Sequence, residues 1–225
     1  MAYSFNGTTQ YLIQGSQLGT LDAFSIALWV KTTETAGGGG ANAIYGVQKN
    51  GASPLDFFNV QINTNNAFGE EADTLMFHVR DDSDGDDVAD FNDTVINDGS
   101  WHHHCLTRDG AATAYFLDGS SKTLDFSSDG LTTASVILNE ELAFAARNIA
   151  GTVGAFTTCS LSDIAIYSVA LSAGQIASLI AGVWPPSIAT IRNYYPLLDG
   201  ALTDIVGGNN LSAVASPSVV AGPLT

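Results

Sequence analysis

Asn97-Asp98-Gly99-Ser100-Trp101-His102-His103-His104-Cys105-Leu106-Thr107-Arg108-Asp109-Gly110 leads, four residues later, into Tyr115-Phe116-Leu117-Asp118-Gly119. Asp-Gly pairs punctuate this stretch at 98–99, 109–110 and 118–119. Aspartate bonds its own backbone in turns and glycine reaches positive φ without steric cost, so each pair marks a reversal. Between the reversals lie short runs rich in aromatic and branched residues, which suit strands. Turn, strand, turn, strand in this order predicts an antiparallel meander.

Composition narrows the function. The chain has 225 residues, 45% of them hydrophobic and only 13% charged, with 23 acidic residues against 7 basic and a net charge of −16. Phosphate backbones are bound through Lys and Arg, so this balance excludes a nucleic-acid partner. Anionic lipid surfaces repel such a chain. No run approaches the roughly 20 apolar residues of a membrane-spanning helix. The opening Met1-Ala2-Tyr3-Ser4-Phe5 has neither a basic start nor an apolar core, so the expectation is a protein made and folded in a cytoplasm. Cys105 and Cys159 both fall in predicted strands. That reading favours buried thiols, with a disulfide as the alternative.

Working outward, Phe24, Ile26, Leu28 and Val30 alternate with Ser25, Ala27, Trp29 and Lys31, the period of a half-buried strand. Phe58, Val60 and Ile62 form one apolar row; Leu75, Phe77 and Val79 form another. The glycines at 37–40 predict a rim loop. Ser172 followed by Gln175 is a capping box, and Ile176, Leu179 and Ile180 give a helix one apolar face. Gly182 and then Pro185-Pro186 end that helix, which is expected near 173–181.

Ser4-Phe5-Asn6-Gly7, the three Asp-Gly segments, Ala143-Phe144-Ala145-Ala146-Arg147-Asn148 and Leu161-Ser162-Asp163-Ile164-Ala165-Ile166-Tyr167 occur in this order. Together they resemble the laminin G-like and pentraxin-like domains of the concanavalin A-like jelly rolls, across residues 4–181. The resemblance implies an all-β fold, a two-sheet antiparallel jelly-roll sandwich with one short helix. It divides the chain into a module at 1–184 and a C-terminal segment at 185–225. Tyr194-Tyr195-Pro196-Leu197-Leu198-Asp199-Gly200 is similar to a segment that precedes the Phe-Asn-Gly opening in relatives. The tail therefore either completes the same sandwich or packs on a neighbouring subunit. His104, Cys105, Cys159 and Ser162 depart from the family pattern, and Ser162 weakens an inherited metal site.

Candidate chemistry is sparse. His102, His103 and His104 alternate faces on a strand, so they do not converge as zinc ligands; a polar strand face is expected. In the acidic run at 81–87, Asp82, Asp84 and Asp86 have the alternate spacing of a calcium loop, and Asp93 falls where a last carboxylate would. Asp87 stands where an EF-hand needs glycine, so the choice lies between a solvated acidic loop and a calcium or docking site. Glu140-Glu141 would face opposite sides of a strand, unlike the paired carboxyls of a glycosidase. For glycan stacking Tyr45 and Phe68, in or near predicted loops, rank above Trp29 and Trp101, which read as packing residues; Trp184 and Tyr194 are also available.

The resulting expectation is a non-enzymatic binding or structural protein. Its first form is a virion-surface component, a phage head-decoration, fibre or tail protein that contacts capsid proteins and self-associates. The alternative is a calcium-dependent carbohydrate-binding module, secreted or on a cell surface. A polysaccharide-active enzyme is the third reading.

Overall fold

The computed structural model describes residues 1–35, 42–48, 57–62, 75–81, 85–91, 96–110, 112–126, 136–138 and 140–223. Two sheets with almost wholly antiparallel pairing stack as a sandwich. The first runs in the order Ser120–Lys122, Ala112–Leu117, Trp101–Asp109, Ala23–Thr32, Thr158–Tyr167, Ala2–Asn6 and Ser218–Val220, with Ile191–Tyr195 also paired to Thr158–Tyr167. The second runs Leu124–Phe126, Gly85–Phe91, Leu75–Asp81, Phe57–Ile62, Asn42–Gln48, Ala143–Phe144, Tyr11–Gln14 and Leu211–Val214. Arg147–Ile149 joins it as a parallel neighbour of Asn42–Gln48.

The period-two rows face each other across the sandwich. Phe24, Ile26 and Leu28 are fully buried, as are Phe58, Ile62, Leu75, Phe77 and Val79. Phe24 of the first sheet meets Phe58 of the second edge-on at 5.4 Å, and Phe58 meets Phe77 at 5.5 Å. Edge-to-face contact places a ring's positive rim on its neighbour's negative face, adding to the gain from burial itself. The meander follows the three Asp-Gly turns: Gly99, Gly110 and Gly119 have φ of 78°, 55° and 80°.

Cross-strand partners share a sheet face. Ala27 lies opposite Cys105 and Trp29 opposite His103, while Leu28 lies opposite His104. The first set therefore points away from the sandwich core and His104 points into it. The outward face is also covered. The helix Ala173–Ile180 lies over it, and Ala27, Cys105, Ala165, Tyr167, Leu171, Ile176, Leu179 and Tyr194 form a second apolar cluster beneath. Its N-terminus carries the capping box, with Ser172 and Gln175 satisfying each other's backbone amides.

The C-terminal segment pairs within the chain. Ile191–Tyr195 lies on Thr158–Tyr167, Leu211–Val214 on Tyr11–Gln14 and Ser218–Val220 on Ala2–Asn6, so it contributes strands to both sheets. Asp204 organises the loop between these strands. Its Oδ1 accepts from the backbone N–H of Tyr194, Val206 and Gly207 at 3.0–3.1 Å. Its Oδ2 accepts from Asn193 Nδ2 at 2.6 Å and from the backbone N–H of Asn209 at 3.0 Å.

Candidate binding site

A cavity of about 120 Å³ opens where the helix ends above the outward face of the first sheet. Ala27 and Ala165, cross-strand partners, lie on its sheet side, with Leu179 on the helix side. Trp29, Trp184 and Tyr194 supply aromatic walls, and His103 and Asp163 supply the titratable groups. Three local features bring these residues together.

The first is a β-bulge. In the Thr158–Tyr167 strand Ser162 pairs with Trp29 and Ala165 with Ala27, leaving Asp163 and Ile164 opposite the single residue between. Such an insertion breaks the alternation and re-aims side chains. Leu161 and Ile164 thus both reach the inner core, while Asp163 lines the outer cavity. Asp163 has φ +48°, the left-handed conformation that aspartate and asparagine accept better than most residues. Its Oδ1 accepts from Tyr194 Oη at 2.9 Å, and its Oδ2 lies 2.7 Å from Ser162 Oγ, which is also 2.8 Å from the Met1 carbonyl oxygen.

The second is the helix terminus. Gly182, at φ +81°, donates to Leu179 O, and Val183 donates to Ser178 O, which together make a Schellman motif. The turn delivers Trp184 to the cavity mouth, where its ring stands at 86° to that of Tyr194 with centroids 5.2 Å apart. Trp184 is 52% exposed. The third is the pairing of Trp29 with His103, whose rings meet edge-on at 5.2 Å. Burial holds the His103 imidazole down at about 4, against a weaker opposing pull from Asp118, so it is neutral at pH 7. Its buried Nδ1 has no hydrogen-bond partner.

The other histidines are structural. His104 is buried in the core beside the Tyr115 hydroxyl, and burial lowers it to about 3. His102 Nδ1 lies 2.7 Å from Asp118 Oδ2 and its Nε2 lies 3.1 Å from Asp98 Oδ1. The expected polar strand face is therefore corrected: two of the three imidazoles are each only 3% exposed, because both faces of this strand are covered. Both thiols are buried and unpaired with each other, Cys105 under the helix and Cys159 in the inner core.

The sequence-derived binding residues fare differently. Tyr45 is corrected: it is 2% exposed, with its ring 5.8 Å from Phe58 and 6.2 Å from Phe144. Asn42–Gln48 is an interior strand of the second sheet, so this ring offers no face to a ligand. Phe68, Asp82, Asp84 and Asp93 lie outside the described residues. The backbone of Asp86 is in a strand and not in a loop, and it pairs in register with Arg80. Among the described residues no three His, Cys, Asp or Glu side chains converge as a metal set, and no helix is long and apolar enough to cross a membrane. Trp29, which strand position alone marks as a packing residue, lines the cavity together with Tyr194 and Trp184.

Two stacked, almost wholly antiparallel sheets with one helix are the architecture of the concanavalin A-like jelly rolls. The chain belongs to the Concanavalin A-like lectin/glucanases superfamily, which matches residues 6–177. Among solved structures it is similar to the native heptameric SAP-like pentraxin of Limulus polyphemus, at 11% identity and a TM-score of 0.57, covering 95% of this chain and 93% of that one. A Bacteroides ovatus protein described as a candidate carbohydrate binder aligns at 15% identity and a TM-score of 0.65, covering 97% of this chain and 62% of that one. Domains LG4-5 of the mouse laminin α1 chain align at 16% identity and a TM-score of 0.52, covering 76% and 43%. At these identities the likeness is one of fold. No curated protein sequence matches the chain.

Proposed function

We propose that the chain is a non-catalytic glycan-binding module whose site is the cavity at the end of the helix. The observation that carries this reading is the gathering of Trp29, Trp184 and Tyr194 around a single carboxylate, Asp163. Ligand sites are concave, mostly apolar and equipped with a few placed polar groups. A pyranose has an apolar face of C–H groups that stacks on an indole, and hydroxyls that donate to a carboxylate. Hydrolysis by paired carboxyl groups needs two acids flanking one bond. Among the described residues the cavity lining contains one. The fold neighbours include a protein described as a carbohydrate binder, which supports the same reading.

Retention on a glycan array tests it. Trp184 is half exposed, so Trp184→Ala should leave the fold intact and lower retention about tenfold, the loss of roughly 1.4 kcal/mol. Silence of the wild type across a broad array, or retention indifferent to Trp184→Ala, refutes it.

Where such a module acts is a finer reading that rests on composition. A net charge of −16 with 7 basic residues supports a virion surface, where acidity keeps a particle from its own genome and from anionic neighbours. Co-sedimentation with particles is the corresponding observation, and a chain found only apart from them refutes the placement. Calcium on the acidic run is a separate proposal that chelation addresses.

A further inference from the structure

Building on the glycan reading, we infer that the sugar bound in this cavity is a basic hexosamine, one that carries a free, protonated amino group. The electrostatics of the lining are one-sided. Among the described residues, Asp163 is the carboxylate of the lining, and no lysine or arginine belongs to it. The Tyr194 hydroxyl donates to Asp163 and the Ser162 hydroxyl lies between Asp163 Oδ2 and the Met1 carbonyl oxygen; both hydroxyls are neutral, so they orient its charge without cancelling it. His103 does not compensate it either, since burial keeps that imidazole uncharged at neutral pH.

An ammonium group completes this arrangement. It brings three donors and no acceptor, whereas the Asp163 carboxylate offers oxygens with spare lone pairs. Cations are drawn to the negative faces of aromatic rings, most strongly to Trp. Here Trp184, 52% exposed, presents its indole at the rim, with the buried Tyr194 ring packed edge-on behind it and Trp29 as a further ring in the lining. The net charge of −16 draws cationic oligosaccharides toward the whole molecule. An N-acetylated sugar keeps the stacking face but has no charge to place beside Asp163.

Calorimetric titration of the full chain with hexamers of glucosamine, N-acetylglucosamine and glucose, at about pH 5.5 where the amine is protonated, tests the inference. The glucosamine hexamer should bind about tenfold tighter than either neutral hexamer and weaken as salt is raised. Asp163→Asn should remove most of that preference. Asparagine accepts the left-handed backbone at 163 and keeps an acceptor for Tyr194, and this variant removes only one unit of a −16 charge. A tenfold loss would therefore separate the site from general attraction. Preference for a neutral hexamer, lost in Trp184→Ala, overturns the inference and leaves the glycan reading standing. Glucosamine binding indifferent to Asp163→Asn also overturns it. Should that variant misfold, wild-type binding of glucosamine that Trp184→Ala does not weaken overturns it instead. Binding of no hexamer defeats both readings.

Discussion

Asp204→Ala is expected to be the most damaging single change in the C-terminal segment. Asp204 is 5% exposed, and its carboxylate accepts five hydrogen bonds, four of them from backbone N–H groups. Hydrogen bonds to a charged acceptor contribute about 1.5–3 kcal/mol each, so a plain sum for five exceeds 7 kcal/mol. That sum overstates the loss. Ile205 and Val206 are 44% and 43% exposed, so water can reach part of the loop once the carboxylate is gone. We expect a loss of about 3–5 kcal/mol, the range for breaking a buried, well-bonded charge. For a chain of this length that lowers Tm by roughly 10 °C. Thermal unfolding followed by circular dichroism, with urea denaturation for ΔG, measures it.

The same residue sets an acid limit. Burial works against the charged form of Asp204, but the hydrogen bonds from Asn193, Tyr194, Gly207 and Val206 outweigh it and hold the carboxyl below its ordinary range. Its contribution is therefore complete above the unfolded value near ~4 and is lost as pH falls through the lower folded value. Asp204→Asn should flatten that acid limb. An alanine variant that melts within about 2 °C of wild type would refute the reasoning, because it would mean that water satisfies all five donors without cost.

Two further outcomes follow from the titratable groups. Burial disfavours the charged form of His102, but its bonds to Asp118 and Asp98 prevail and raise it above its ordinary value. Stability from this cluster should be complete below about pH 6.5 and lost as pH rises through the folded value, with the slope reduced in Asp118→Asn; a folded-state His102 titration below about 6.5 by NMR contradicts this. Burial pushes both thiols well above their ordinary range, so neither should react with a thiol reagent in the native chain, and both should react once it is denatured. Native-state labelling, or no labelling of the denatured chain before reduction, would contradict the free, buried assignment.

The sandwich was legible because its signals are local. Asp-Gly turns encode their own reversal, period-two rows encode which face is apolar, and Ser172 with Gln175 encodes a helix start within four residues. The site was less legible because its parts come from strands, a bulge and a helix end that are far apart in sequence: Trp29, His103, Asp163, Trp184 and Tyr194. Strand position tells which way Trp29 points but not what covers that face. Tyr45 misleads for the converse reason. It follows a glycine run that reads as a loop, yet Ile44-Tyr45-Gly46-Val47 is an interior strand with both faces covered. One signal for the site was present in the letters. Leu161, Ile164 and Ile166 step by three and then by two, and that break in a strand's alternation marks the bulge that carries Asp163.

The cavity itself arises from what the outward face lacks. Ala27 and Ala165 pair directly beneath it, and both are small. Larger aliphatic residues here would fill the space and convert the region into ordinary helix-on-sheet packing, since cores close to high density wherever side chains allow. The Schellman turn at Gly182 stops the helix and lifts Trp184 to the rim. The bulge then adds a carboxylate in place of an alternating apolar side chain. Each feature alone is compatible with a purely structural role. Their coincidence at one point places aromatic rings, the Asp163 carboxylate and the His103 imidazole around one cavity, the combination on which the proposed glycan reading rests.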